Sequence, residues 1–414
     1  MVFEGIIKET EAQPSVRVLI ELHDTLEPVE NVITACVLKP DVLVLLGDRK
    51  IEKAKYRKPL LSFFRMEQMN VKVDYRTCGL HRVEQVVECL QNVVQEYGKE
   101  NCTVDVGGGS ETLLMAAGYV CMQEQVNAVH HVAGSNKLRY VLGPDTGKEE
   151  KFNLHYSLDQ IVALSGGELL RNGHVGPEMM TPEMTGLIDR IFPIYLENKK
   201  IWPKFVQYLQ VATRQEYRNG DGYDAPRMIF VNGQARNVND GLMQTLQQAG
   251  AMTEYALDDK RCRFAFVNDT IGKCMCDVGV WLEMYIFSAM VQCGVFDDVQ
   301  ISMVVSWDDD EKGDRVQNEI DVVASAGVGQ LFCSCKTSTP DPYMLNEIEV
   351  MTERFGTRYA TPVLATVCDM KKESASAYYR AEQMGVELID INDLEKDKLM
   401  ARLCTLRKKW DRDN

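Results

Sequence analysis

Residues 318–336 read NEIDVVASAGVGQLFCSCK. β-Branched and apolar residues dominate and the run is interrupted once, at SAGVG, so it predicts two strands joined by a short hairpin turn. Side chains alternate faces along a strand, which puts Glu319 and Asp321 on one face and Ile320 and Val322 on the other. In the second strand Phe332, Ser334 and Lys336 share a face, and the turn brings Asp321 beside Ser334 and Lys336. The preceding apolar stretch, DVGVWLEMYIFSAMVQCG, reads as a helix closed by Gly294 and carries one acid, Glu283, in its middle. Acids and a lysine converging on a sheet edge are costly to bury unless a cation compensates them. Two carboxylates, Glu283 and Asp321, with backbone carbonyls and water suit Mg2+ or Mn2+. Such an ion activates water and stabilises charge on a phosphodiester, and a nearby lysine helps to hold that charge. The plainer reading makes Glu319 and Asp321 turn-flanking acids and Lys336 a solvated strand end; it loses ground once Glu283 and the element order are counted.

That order extends outward on both sides. RCRFAFVND and IGKCMCD read as a hairpin before the apolar helix. DVQISMVVS and NEIDVVAS are strands around the acidic turn WDDDEKGDR, and QLFCSCK is the third strand. A helix over about 342–356, the strand TPVLATV, the helix ASAYYRAEQMG and the strand VELIDI follow. All histidines (His23, His81, His130, His131, His155, His174) lie in the first 174 residues, so the C-terminal half cannot run histidine-based nuclease chemistry. Zinc on Cys274, Cys276, Cys333 and Cys335 is the other metal reading, but a one-residue gap departs from the usual C-x2–4-C knuckle.

The N-terminal third has a different rhythm. VRVLIEL, DVLVLLG and NCTVDVGGG are short apolar runs of buried parallel-strand type, each leading into helical character, as in a doubly wound α/β sheet. NCTVDVGGGSETLLMAAGYV is a strand, three glycines, Ser110 and a helix, an arrangement whose backbone amides can approach an anion. It lacks the Gly-Lys-Ser/Thr of a Walker A loop, as does GPDTGKEE. Between the two halves TPEMTGLIDRIFPIYLENKK opens with Thr181 as N-cap and Pro182 at the first helical position, and RNGDGYDAPR and VNGQARNVNDG are turn-rich.

A chain of 414 residues is long enough for two or three cores. Net charge of −15 argues against sequence-blind coating of nucleic acid, leaving local basic sites such as RKIEKAKYRK, Arg49 to Lys58. The start lacks the pattern of a secretory signal, no stretch is apolar enough to span a bilayer, and thirteen scattered cysteines fit reduced thiols in the cytoplasm.

The C-terminal constellation resembles the PD-(D/E)xK nuclease superfamily, in which a helix acid, an Asp and an (E/D)xK strand surround one or two metal ions. Ser334 stands where that pattern has an acid, so Glu319 or the carbonyl of Cys335 is left to complete the ligand set. The glycine loop is similar to the (N/D)xxGG(T/S) element of CARF domains, Rossmann-like sensors of cyclic oligoadenylates in type III CRISPR defence. ELHDTLEPVENV matches their other ligand loop. Together with G.WLE, NE(I/L)D and SCK, these motifs resemble the CARF nucleases activated by ring nucleotides. The resemblance implies a CARF domain over 1–150, a helical linker over 151–240 and a restriction-endonuclease-like α/β domain over 241–414. It implies that Thr25, Pro28, Asn31, Gly47, Gly107, Gly108, Gly109, Ser110 and Glu111 hold the activator, cyclic tetra-adenylate; Glu111 departs from the lysine usual there. It further implies catalysis at Glu283, Glu319, Asp321, Ser334 and Lys336, a Mn2+ or Mg2+ ion at Glu283, Asp321 and Cys335, a homodimer, and a single- or double-stranded nucleic acid substrate. The competing readings are a ligand-sensing transcription regulator without catalysis and a restriction or repair nuclease that needs no ligand.

Overall fold

The computed structural model describes residues 16–132, 136–170, 177–307 and 316–410. The chain divides into two compact units, 1–167 with 410–414 and 168–409. The first begins β1 (Val18–Leu22), α1 (Glu30–Leu38), β2 (Val42–Gly47), α2 (Ala54–Met66), β3 (Lys72–Thr77) and α3 (Val83–Tyr97). It continues β4 (Cys102–Asp105), α4 (Glu111–Glu124), β5 (Asn127–His131), β6 (Lys137–Leu142), β7 (Glu149–Lys151) and α5 (Leu158–Leu164).

These strands form one sheet in the order β3-β2-β1-β4-β5-β6-β7. The pairs from β3 to β5 are parallel, and β5–β6 and β6–β7 are antiparallel. β1 and β2 are buried at every residue, which is why they read as unbroken apolar runs. β3, KVDYRT, is an edge strand whose polar face is held by Arg76, paired with Asp74 at 2.7 Å and Glu96 at 2.8 Å. Strand order reverses between β1 and β4, so the loops after them flank the switch point where such sheets take ligands.

The second unit opens with β8 (Gly167–Leu170), α6 (Pro182–Glu197) and α7 (Trp202–Ala212). Next come β9 (Arg218–Asn219), β10 (Gly222–Pro226), β11 (Met228–Val231), β12 (Gln234–Asn237), α8 (Asp240–Gln248), β13 (Met252–Leu257) and β14 (Arg261–Phe266). The remainder includes α9 (Asp269–Met275), α10 (Val280–Cys293), β15 (Asp298–Trp307), β16 (Val316–Ala326) and β17 (Gly329–Lys336). After these come α11 (Met344–Phe355), β18 (Ala360–Thr366) and β19 (Glu387–Ile389). The main sheet runs β19-β18-β17-β16-β15-β8, beside a smaller β13-β14-β10-β9 sheet and a β11-β12 ribbon.

The expected series of helix, three antiparallel strands, helix and strand is α10-β15-β16-β17-α11-β18, and Gly294 closes α10 with φ 64. Thr181 caps α6 as its sequence suggests, accepting from Met184 N at 3.3 Å. IGKCMCD is not the second arm of a hairpin. It is α9, because the Asn268 side chain accepts from Ile271 N at 2.9 Å and starts a helix; β14 pairs with β13 instead. Residues 151–240 carry α5, α6 and α7 but also β9 to β12, and fall on both sides of the division between the units. The acidic turn from Asp308 to Arg315 and His174 lie outside the described residues. No described helix is long and apolar enough to cross a membrane.

Candidate active site and ligand loops

In the second unit the ladder between β16 and β17 runs from Ala326–Gly329 to Val322–Cys333, while β17 stays paired with β18 through Lys336–Thr366. The next cross-strand positions are Asp321 and Ser334, where the two strands fork. Asp321 fills the fork with its side chain: Oδ2 accepts from Cys335 N at 2.6 Å and from Ser334 Oγ at 3.3 Å. A carboxylate thus replaces the ladder carbonyl that Cys335 N would otherwise meet. On the other edge of β16, Ser302 lies opposite Asp321 between the pairs Ile301–Val322 and Met303–Ile320, and it adopts φ 49. A left-handed serine inside a strand is strained, a feature that clusters at functional sites.

α10 delivers Glu283. Asp277 starts this helix by accepting from Gly279 N at 2.7 Å and Val280 N at 3.2 Å. Glu283 is partly buried, and its carboxyl is pushed up to about 8, first by burial and then by the charges of Asp321, Asp277 and Glu319, with Lys336 opposing. Burial also raises Asp321, against the Cys335 amide, the Lys336 charge and the Ser334 hydroxyl, while Glu347 on α11 adds to the rise. Glu283, Glu319, Asp321, Ser334 and Lys336 therefore act on one another, although Glu319 is exposed. Asp277 and Glu347 were not singled out in the sequence; the helix-starting D-x-G of Asp277 was the available signal.

A buried acid raised by a neighbouring carboxylate leaves a place for a cation. No cluster of three or more His, Cys, Asp or Glu suited to a metal occurs among the described residues. Zinc takes four protein ligands in structural sites. Cys274 is on α9, Cys276 Sγ is 3.5 Å from Thr213 Oγ1, and the Cys333 and Cys335 sulfurs are 4.0 Å apart. Two carboxylates do fit a hard divalent ion that keeps several of its waters.

In the first unit the candidate ligand loops at the switch point are joined by Asp24, another residue the motifs did not reveal. Its Oδ1 accepts from Leu26 N and Glu27 N at 2.8 and 2.9 Å, and its Oδ2 from Gly109 N at 3.0 Å. Asn31 is buried and shapes the same loop: Oδ1 accepts from Asp24 N at 2.8 Å, and Nδ2 donates to Asp24 O at 2.7 Å. Gly107 N donates to Asp105 Oδ1 at 2.6 Å. A Cβ at Gly108 would stand 3.2 Å from Asp24 Cβ and 3.3 Å from Glu30 Cβ, and Gly109 has φ 98, so the loop is close-packed on glycine. Gly47 ends β2 against Ile51 and His23. Thr25 and Glu111 are exposed, Pro28 is half-buried, and Ser110 precedes α4 with its Oγ meeting no hydrogen-bond partner among the described residues.

Beneath the loop lies Glu21, with no exposed surface, in register with Asp105 on β4. Neither Glu21 oxygen meets a donor from another kind of group among the described residues; its neighbour is the Asp105 carboxyl, and two carboxyls bond only by sharing a proton. Burial, then the charges of Asp105, Glu30 and Asp24, push Glu21 well above the usual range, and burial takes Asp105 to about 6.

Residues 274–405 match the family described as Card1-like, endonuclease domain. The curated proteins contain no match to the chain. Among solved structures the fold is shared with protein VC1899 from Vibrio cholerae, with TM-score 0.74, 15% identity, and 95% of this chain and 98% of that one covered. It is also shared with Can2 from Sulfobacillus thermosulfidooxidans in complex with cyclic tetra-adenylate, with TM-score 0.65, 15% identity and the same 95% and 98% coverage. Part of the C-terminal unit thus matches a Card1-like endonuclease domain, and the chain shares its fold with a protein solved with cyclic tetra-adenylate.

Proposed function

We propose that this endonuclease-domain chain is a CRISPR ancillary nuclease: a cytosolic homodimer that cuts phosphodiesters in DNA or RNA when its N-terminal unit binds cyclic tetra-adenylate. The observation that carries the catalytic half is the fork between β16 and β17, where Asp321 is fixed by a main-chain amide and faced by Glu283. Glu283 and Asp321 would hold a Mg2+ or Mn2+ ion, which supplies an activated water and charge stabilisation when bound. The chain's own residues do the rest. The Cys335 amide and Ser334 hydroxyl fix one Asp321 oxygen, so the carboxylate is oriented before substrate arrives. Lys336, the positive charge among these acids, is the group to hold a phosphate oxygen.

The activator half rests on the two loops clasped by Asp24 at the switch point and on the likeness to a fold solved with cyclic tetra-adenylate. A two-fold ring suits a two-fold interface, and α4 exposes Met115, Tyr119 and Met122 at helical spacing, the apolar face such an interface requires. The test is cleavage of single- and double-stranded DNA and RNA with Mn2+ or Mg2+, with and without cyclic tetra-adenylate. Asp321→Ala and Glu283→Ala are expected to lose at least about a hundredfold of the activated rate, and Lys336→Ala a comparable amount. Wild-type rates in Asp321→Ala protein would remove the fork as the active site.

A further inference from the structure

Within the second unit, α7 presents a polar stripe of exposed Lys204, half-buried Gln207 and exposed Gln210, continued past the helix end by exposed Arg214. Two neighbours dock on it. Gln207 Oε1 accepts from Arg236 Nε of the β11-β12 ribbon at 2.7 Å, and Gln210 Nε2 donates to the Cys276 carbonyl at 2.9 Å. Cys276 adjoins Asp277, whose charge acts on Glu283. One helical turn therefore separates the ribbon's anchor from the segment that borders the acid site.

The ribbon itself turns at Asn232 and Gly233, φ 50 and 75, a tight two-residue hairpin. Ile229 faces inward and is 5% exposed, whereas Met228 and Phe230 face outward at 48% and 65%, with exposed Ala235 across from Phe230. An aromatic ring standing in solvent beside a small residue has an open face. Along the chain the charge is one-sided between Glu197 and Glu216 and between Asp224 and Asp240. Residues 198–215 hold Lys199, Lys200, Lys204 and Arg214, and residues 225–239 hold Arg227 and Arg236; neither stretch contains an acid, in a chain of net charge −15.

Resting on the nuclease reading above, we infer that the ribbon and the α7 stripe form an arm that grips single-stranded nucleic acid beside the acid site, with Phe230 as the platform for one base. A cationic track suits the phosphates of a single strand, and a solvent-facing ring suits an unpaired base, because every base has a face to stack. The base pairs of a duplex keep their faces covered.

The test is fluorescence anisotropy of a fluorescein-labelled single-stranded oligonucleotide with the full-length protein, cyclic tetra-adenylate and EDTA, so that binding is read without cleavage. Phe230→Ala is expected to weaken binding about tenfold, as loss of one base stack does, and Phe230→Trp to restore it. Lys204→Ala is expected to lower the slope of log affinity against log salt by about 0.7, one phosphate contact on a single strand. Unchanged affinity in Phe230→Ala, with the wild type binding, overturns the arm alone. A change of oligomeric mass in Phe230→Ala by light scattering overturns it in favour of a contact between copies of the chain. Wild-type protein that binds no oligonucleotide overturns it together with the nuclease reading.

Discussion

Glu21 sits near the C-terminal end of β1 with Leu45 of β2 on one side and Asp105 of β4 on the other. Burial there holds the glutamate well above its usual range in the folded protein, whereas an unfolded one releases its proton near pH 4.3. The folded state therefore binds more protons over the range between, and stability falls as pH rises from about 4.3 through the folded value. Asp105, which titrates near 6, acts in the same direction up to that pH. Glu21→Gln, which keeps the donor to Asp105 and cannot ionise, is expected to raise Tm at neutral pH and flatten its decline between about pH 5 and 8. Thermal unfolding across that range measures both; a Glu21→Gln curve parallel to wild type would mean that Glu21 is ionised in the folded state. The apolar run VRVLIEL announced a buried strand, but not that its one acid would share a proton across the ladder, because that partner lies 84 positions on.

At the scale of an element, α10 shows what sequence can and cannot carry. Its apolar character, its closing Gly294 and the isolated acid Glu283 were all legible, and so was the face shared by Glu319, Asp321, Ser334 and Lys336, because strand alternation has a fixed period. The donor that fixes Asp321 is a main-chain amide, and no side-chain pattern could have pointed to it. The start of α10 is a similar case. Asp277 gathers two amides of the first turn, and Asp277→Ala is expected to cost about 1 kcal/mol, the usual loss for a helix-starting side chain, and to loosen the turn that aims Glu283. Chemical denaturation reads the first effect, and hydrogen exchange at Val280 and Trp281 the second. Stability equal to wild type would show that Gly279 alone begins the helix. IGKCMCD was misread because its cysteines alternate like strand residues, whereas the preceding Asn268 decides for helix.

For the whole molecule, the two patterned ends were legible and the strands of the middle segment were not. Two units were foreseeable from the change in rhythm between the parallel-strand runs and the three antiparallel strands, but the middle segment mixes helices with short β-strands whose turn-rich stretches gave no strand signal. If the first unit senses and the second cuts, the coupling between them is a free energy and must be reciprocal. Saturating oligonucleotide in EDTA should tighten cyclic tetra-adenylate by the same factor by which the activator tightens the oligonucleotide, about 5- to 150-fold for couplings of ordinary size. Calorimetry of the activator and anisotropy of the oligonucleotide, each with and without the other, supply the two factors; affinities that neither ligand changes for the other would rule out the coupling. The Asp24 clasp bears on how fast such a molecule can answer. Gly109 N already holds a carboxylate, so an arriving phosphate that takes this amide enters by exchange, after one anion lets go of the loop. Affinity for such a ligand is then set against the contact that Asp24 gives up, so the loop's own anion competes with the one that arrives.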